Sequence, residues 1–407
     1  MKTFIICLLA LSAAIIISCE KDDSNIIKKE RLSGFAQKGP FNNGTSVTIS
    51  ELDKNLTQTG KTFSTQIIDN KGTFEIDNVE FSSSFVELKA DGFYFDEVAN
   101  ENSSARLVLY ALTDLTDSSS INVNILSNLE KERVEYLISG GSSFSEAKSQ
   151  AQQEILSIFN ITRSDMPSSE YLDITKQGED NAILLAVSSI VKGYRTVAEL
   201  SELLANISTD IREDGVLNSS STGTALINHA RYLNTGNIRT NLTGRYETMG
   251  VSIEIPDFEK YVKQFVDNTD FAFTGFIEYP ETSPYGINIL NDKDSVFTIG
   301  VMDTYSMAAV LPKGASLKIK LEFVEGGERV GSYWAFEAAP NGPINWKNNI
   351  YDFENNTQIF EVMESGTIAD LEIMFLATAD SKIRINYYEN NPDTVTKSRI
   401  IKIVAGE

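Results

Sequence analysis

The sequence predicts a mixed, multidomain protein: a β-sandwich, then an all-α helical bundle, then a second β-sandwich of immunoglobulin-like class. Three observations carry that prediction. At 407 residues the chain is long enough for two or three domains. Residues 33–125 and 269–407 alternate apolar and polar positions with a period of two, the mark of half-buried strands. Residues 126–268 carry apolar positions at helical spacing. Hydrophobic residues make up 42% and charged residues 23%, which excludes wholesale disorder. Asp+Glu total 57 against Lys+Arg 35, a net charge of -22. A chain so acidic repels phosphate backbones, so no nucleic-acid partner is expected. One histidine and two cysteines leave little room for histidine catalysis, zinc clusters or disulfide frameworks.

The chain opens with Lys2 and an apolar run from Phe4 to Ile17, interrupted only by Ser12. That run is shorter than the roughly 20 residues needed to span a bilayer and fits a signal-peptide core. Ile16-Ile17-Ser18-Cys19 then resembles a lipobox, where a small residue precedes the cysteine that becomes acylated. Residues 1–18 are therefore expected to be a lipoprotein signal peptide, with Cys19 the lipidation site. Cys7 lies within the signal, so Cys19 would be the only cysteine of the mature chain. Acylation spares it from existing as a free thiol in an oxidising envelope. Lys21-Asp22-Asp23 directly after it resembles the acidic export signal of Bacteroides-type surface lipoproteins. The resemblance implies an outer-membrane anchor, with the protein facing the cell exterior. Residues 19–32 are polar and mixed in charge and read as a lipidated tether.

In residues 33–125, Val47 and Ile49, Phe74 and Ile76, and Val86 and Leu88 alternate with polar neighbours. Asn42-Asn43-Gly44, Asp69-Asn70-Lys71-Gly72 and Asp91-Gly92 supply turns. Lys38-Gly39-Pro40, Gly44 before Val47, Asp69 and Gly72 before Phe74, and Asp91-Gly92-Phe93-Tyr94 together resemble the carboxypeptidase-regulatory-like (transthyretin-like) sandwich of secreted bacterial proteins. The resemblance runs over roughly residues 33–240 and implies a scaffold or binding role. It transfers no catalytic residue.

Residues 126–268 begin with Ser127 and Glu130 as a capping box, and Ser143/Glu146 and Thr196/Glu199 form two more. Ala182–Val191 is apolar almost all round and should be the buried central helix. Helices near 224–234, 237–249 and 256–266 complete about seven, with Pro256 at a first helical position. Residues 269–407 return to strands, at Val296–Val301, Ser316–Val324, Ser332–Ala338, Gln358–Val362, Ile368–Ala377, Lys382–Tyr388 and Ser398–Val404.

Candidate chemistry is sparse. His229 shares a helical face with Leu226 and Leu233 and reads as a packing residue rather than a general base. Asp210-x-Arg212-x-Asp214-Gly215 has the outline of a calcium loop. Arg212 stands where an oxygen ligand is needed, so a helix stop at Gly215 is expected instead. No metal and no cofactor is expected. The irregular stretch from Gly331 to Tyr351 is the most aromatic, and Tyr333, Trp334, Trp346 and Tyr351 are the candidate ligand surface. Asp294-Ser295-Val296 and Asp393-Thr394-Val395 match the Asp-(Ser/Thr)-aliphatic O-glycosylation pattern of Bacteroides-type envelopes, which makes Ser295 and Thr394 candidate acceptors. The expectation is a non-enzymatic, lipid-anchored binding or adhesion protein with a glycan or protein ligand. The alternatives are a structural or assembly lipoprotein of an envelope or pilus complex, and a carboxylate-based hydrolase.

Overall fold

The computed structural model describes residues 26–274, then strands between Asn288 and Ala405, with side chains again described over 316–325 and 380–404. Cys19, Lys21, Asp22 and Asp23 lie outside the described residues.

Two sheets face each other near the start of the described chain. In one, β1 (Ile27–Gln37) lies between β4 (Thr73–Phe81), to which it is antiparallel, and β9 (Val123–Asn124), to which it is parallel. The other has the order β3 (Gln58–Gln66), β2 (Ser46–Leu52), β5 (Phe85–Gly92) and β8 (Leu107–Asp114). Alternation places Leu32, Phe74 and Phe81 of the first sheet against Val47, Ile49, Val86 and Leu88 of the second, all fully or almost fully buried. Strand β1 begins at Ile27, inside the stretch read as tether. Ile27, Lys28 and Lys29 pair with Phe81, Glu80 and Val79, so a cross-strand partner orders residues whose composition looks like linker. The Asp69–Gly72 turn needs its glycine: Gly72 has φ +83, and a Cβ there would lie 2.4 Å from the Ala36 carbonyl oxygen. A short hairpin of β6 (Phe95–Asp96) and β7 (Glu101–Asn102) caps one end.

The helices are α1 (Ile125–Ser139), α2 (Phe144–Ile158), α3 (Glu179–Lys192), α4 (Val197–Ile211), α5 (Ser220–Arg231), α6 (Thr235–Thr248) and α7 (Glu259–Asn268). Ser143/Glu146 and Thr196/Glu199 are capping boxes as expected. The Ser127/Glu130 box is not formed. Asn124 caps α1 instead, its side chain accepting the Ser127 N–H at 3.0 Å while Ser127 Oγ accepts the Asn124 N–H at 3.0 Å. Glu130 is drawn away into a buried ion pair. Pro256 precedes α7 rather than opening it: its carbonyl accepts the Phe258 N–H at 2.9 Å, and the helix starts at Glu259. Helix α3 is buried on every side from Ala182 to Lys192. One hydrophobic core runs from Val47 and Leu88 of the sandwich through Leu129 to Leu185 and Phe265 of the helices. Position 125/126 is a change of secondary structure, not a break in the core.

Beyond Asn288 the described chain is all β. A four-stranded sheet has the order β10 (Asn288–Leu290), β12 (Asp303–Val310), β17 (Ile368–Leu376), β14 (Gly331–Glu337). A six-stranded sheet has the order β11 (Ser295–Ile299), β19 (Lys397–Ala405), β18 (Ser381–Glu389), β13 (Leu317–Glu325), β16 (Thr357–Val362), β15 (Trp346–Asp352). Leu317, Ile319, Leu321, Ile383, Ile385, Tyr387, Ile401 and Ile403 form the buried face of its middle strands.

Candidate functional site

One of the sequence-derived candidates changes character in the structure. Tyr333 and Trp334 belong to β14, within the strand expected at Ser332–Ala338, whereas Trp346 and Tyr351 belong to β15, where the sequence pattern points to irregular chain. β-branched and aromatic residues suit a pleated strand, and the ladder comes from β17 for β14 and from the following strand, β16, for β15. The side chains of these four residues, and of Ser295 in β11, fall outside the described residues. Thr394 is described and lies exposed in the β18–β19 connection.

His229 is buried, and its Nδ1 accepts the Tyr194 N–H at 2.9 Å. Burial, reinforced by the charges of Arg195 and Lys192, holds its pKa well below 6.5. The imidazole is therefore neutral and structural at physiological pH. The 210–215 segment is a helix stop: the Gly215 N–H reaches the Ile211 carbonyl at 2.8 Å. Its carboxylates accept amide protons, Asp210 from Ser219 N–H at 2.9 Å and Asp214 from Val216 N–H at 3.0 Å. Among the described residues no cluster of His, Cys, Asp and Glu is arranged to hold a metal ion.

A different site emerges between the sandwich and the helices. Phe144, Ser145, Lys148, Ser149 and Gln152 lie along one face of α2. Facing them are Asp114 at the end of β8, then Thr116 and Asp117, and the segment Met166–Tyr171, which contains a single 3-10 turn at Ser169–Tyr171. These elements enclose a pocket of about 430 Å³. Its walls are held from behind. Phe144 packs on Phe85 with ring centroids 4.9 Å apart. The Gln152 amide donates to the Pro167 carbonyl at 2.8 Å, and the Asn124 amide donates to the Ser169 carbonyl at 2.7 Å. The Asn122 N–H donates to the Glu170 carbonyl at 2.7 Å.

The floor is a buried charge triad. Lys148 Nζ stands 2.8 Å from a Glu130 carboxylate oxygen and 2.8 Å from Glu170 Oε2. Glu130 also accepts the Ser169 hydroxyl. Burial raises the Glu130 pKa, against the pull of Lys148. Burial would lower the Lys148 pKa, but the two carboxylates outweigh it and hold the ammonium above the ordinary lysine range. Lys148 is thus a fixed cation and not a nucleophilic amine. Both glutamates point at the same lysine, which suits a rigid polar floor rather than an acid and a base facing a substrate. Above it, Tyr171 is 43% exposed. The sequence signal for this site was faint: Lys148 and Gln152 sit beside Ala147, Ala151 and Ile155 on the buried side of α2, where a solvated lysine would not be.

No family model matches the chain, and no curated protein matches it. Solved structures overlay on parts of it. A Caenorhabditis elegans member of the MSP family, WR4, is 11% identical, covering 30% of this chain and 97% of its own, with a TM-score of 0.17. The seventh ScaB type I cohesin of Pseudobacteroides cellulosolvens is 14% identical, covering 30% of this chain and 94% of its own, at 0.19. The full-length major pilin SpaD of Corynebacterium diphtheriae is 11% identical, covering 92% of this chain and 65% of its own, at 0.18. Overlays with scores this low carry no argument about fold or function.

Proposed function

We propose that the chain is a lipid-anchored cell-surface protein with a non-enzymatic binding or adhesion role, and that its ligand seat is the pocket over Lys148. The anchor rests on Cys19 and on the Lys21-Asp22-Asp23 run beside it. The observation that carries the ligand seat is the pocket itself: a rigid charged floor, acceptors at Asp114 and Asp117, and apolar walls at Phe144, Met166 and Tyr171. That combination suits a sugar ring, which offers hydroxyl donors on its rim and C–H groups on its face. The non-enzymatic reading is supported by the two floor carboxylates facing one lysine and by the neutral, buried His229. The strand aromatics Tyr333, Trp334, Trp346 and Tyr351 remain a second proposed ligand surface.

An assembly role is the other reading, and one observation favours it. Ile68 is 80% exposed and Phe93 45% exposed. Both sit at one tip of the sandwich, where the Gly44 N–H meets the Ile67 carbonyl and the Asn42 N–H meets the Phe93 carbonyl, each at 2.8 Å. Apolar side chains at a loop tip suit a protein contact.

A glycan array probed with the full chain tests the proposal, with Tyr171→Ala and Glu170→Gln probed in parallel. The expected result is glycan binding that falls about tenfold in Tyr171→Ala with an unchanged melt, on the order of one lost aromatic contact. A silent array, or binding that neither variant moves, would refute the pocket as a glycan seat.

A further inference from the structure

Three lysines are buried among the described residues, and their surroundings differ. Lys192 Nζ stands 3.0 Å from Asp96, 2.6 Å from the Arg195 carbonyl and 3.4 Å from the Gly193 carbonyl. Lys148 has two carboxylates. Lys38 meets a single acceptor, one oxygen of Glu97, and otherwise only the face of Tyr94, whose ring centroid is 5.8 Å from Nζ. Both side chains of the Lys38–Glu97 pair are 0% exposed. The other Glu97 oxygen, Oε2, receives no hydrogen bond, and neither does the nearby Tyr94 hydroxyl.

As an ion pair this is poorly provided for. An ammonium brings three donors and a carboxylate two acceptor oxygens. Here one contact must compensate the desolvation of both charges, which favours a buried pair only when the remaining valences are met. An amide joining the same atoms would carry no charge, one N–H and one carbonyl.

The two groups are also held together from outside. The Lys38 carbonyl accepts the Ser188 hydroxyl of α3 at 2.9 Å, and the Glu97 carbonyl accepts the Asn241 amide of α6 at 2.9 Å. Gly39 allows the close approach: a Cβ there would lie 2.2 Å from the Phe95 carbonyl oxygen and 3.1 Å from Glu97 Oε2. Fixing two reactants in contact replaces an encounter with an intramolecular step. Asp96, the residue before Glu97, adds a second carboxylate beside the pair, held by Lys192.

We propose that Lys38 and Glu97 condense to an intramolecular isopeptide bond that ties the end of β1 to the segment after β6. The step is a dehydration and balances within the pair. One proton passes from the Lys38 ammonium to the Glu97 carboxylate, leaving a neutral amine and a neutral acid. The Nζ lone pair forms a bond to Glu97 Cδ. The Cδ–OH bond then breaks, and that hydroxyl leaves as water with a second proton from Nζ. No oxidant and no co-reactant is needed. The buried charge balance is preserved, because one positive and one negative charge disappear together while Lys192 and Asp96 keep theirs.

Peptide mapping of the full wild-type chain by mass spectrometry tests this directly. The expected result is a branched tryptic peptide joining the Lys38 and Glu97 segments, lighter than their sum by one water, with no cleavage after Lys38. In Lys38→Arg the branch should vanish and the Glu97 segment should appear as a linear peptide of unmodified mass. Linear wild-type peptides carrying unmodified Lys38 and Glu97 would overturn the proposal and leave an ion pair only. The wild-type map is decisive even if the variant folds poorly.

Discussion

Replacing Lys148 with Met probes the pocket floor. The methionine keeps most of the side-chain length and removes the ammonium, so Glu130 and Glu170 lose their shared cation. Side-chain exposures of 5% for Lys148, 1% for Glu130 and 3% for Glu170 place the triad in the buried regime. Exposed pairs contribute roughly 0–1 kcal/mol, whereas removing one partner of a buried pair costs about 3–5 kcal/mol. The upper half of that range is expected here, because two carboxylates are stranded rather than one. The sign of the pH dependence follows from Glu130, whose folded pKa is already raised above the ordinary 4.5 by burial. Without Lys148 it rises further. A carboxyl with a raised folded pKa binds more protons folded than unfolded. Its contribution is therefore full below 4.5 and is lost as pH climbs through the folded value. Lys148→Met should thus be weakest near neutrality and recover part of its deficit as pH falls towards 4.5. Urea unfolding of wild type and variant at several pH values measures both effects. Adding Glu130→Gln and Glu170→Gln to the same chain should restore stability at neutral pH, since no charge is left stranded. A neutral-pH difference below about 0.5 kcal/mol, the scale of an ordinary surface change, would refute the reasoning.

His229→Ala should cost about 1–3 kcal/mol, because the Tyr194 N–H is left buried without its acceptor, and should leave ligand binding unchanged. With its folded pKa depressed below 6.5, His229 makes wild-type stability full above 6.5 and declining as pH falls below it; the variant's melting curve should lose that component. Cys19→Ala should abolish labelling by an alkyne fatty acid, and equal labelling of wild type and variant would sink the anchor.

The sequence was most informative where the cause of structure is local. Alternation at Val86 and Leu88, the Asp69–Gly72 turn, the Ser143 and Thr196 caps and the all-apolar α3 each depend on neighbours within a few residues. Periodicity and turn chemistry report such neighbours directly. Even Lys38-Gly39-Pro40 was visible as a motif. Tertiary structure alone decided the rest. Lys28 looks like tether until Glu80 pairs with it across β4. Glu130 looks like a helix cap until Lys148, eighteen positions later, claims its carboxylate. Lys38 meets Glu97 across a sequence separation of 59 residues. Burial and charge pairing are set by contacts between segments far apart in the chain. An acidic or basic residue is identical in sequence whether it ends in water or in a core, and only the packing around it fixes its partner, its protonation and what it can do.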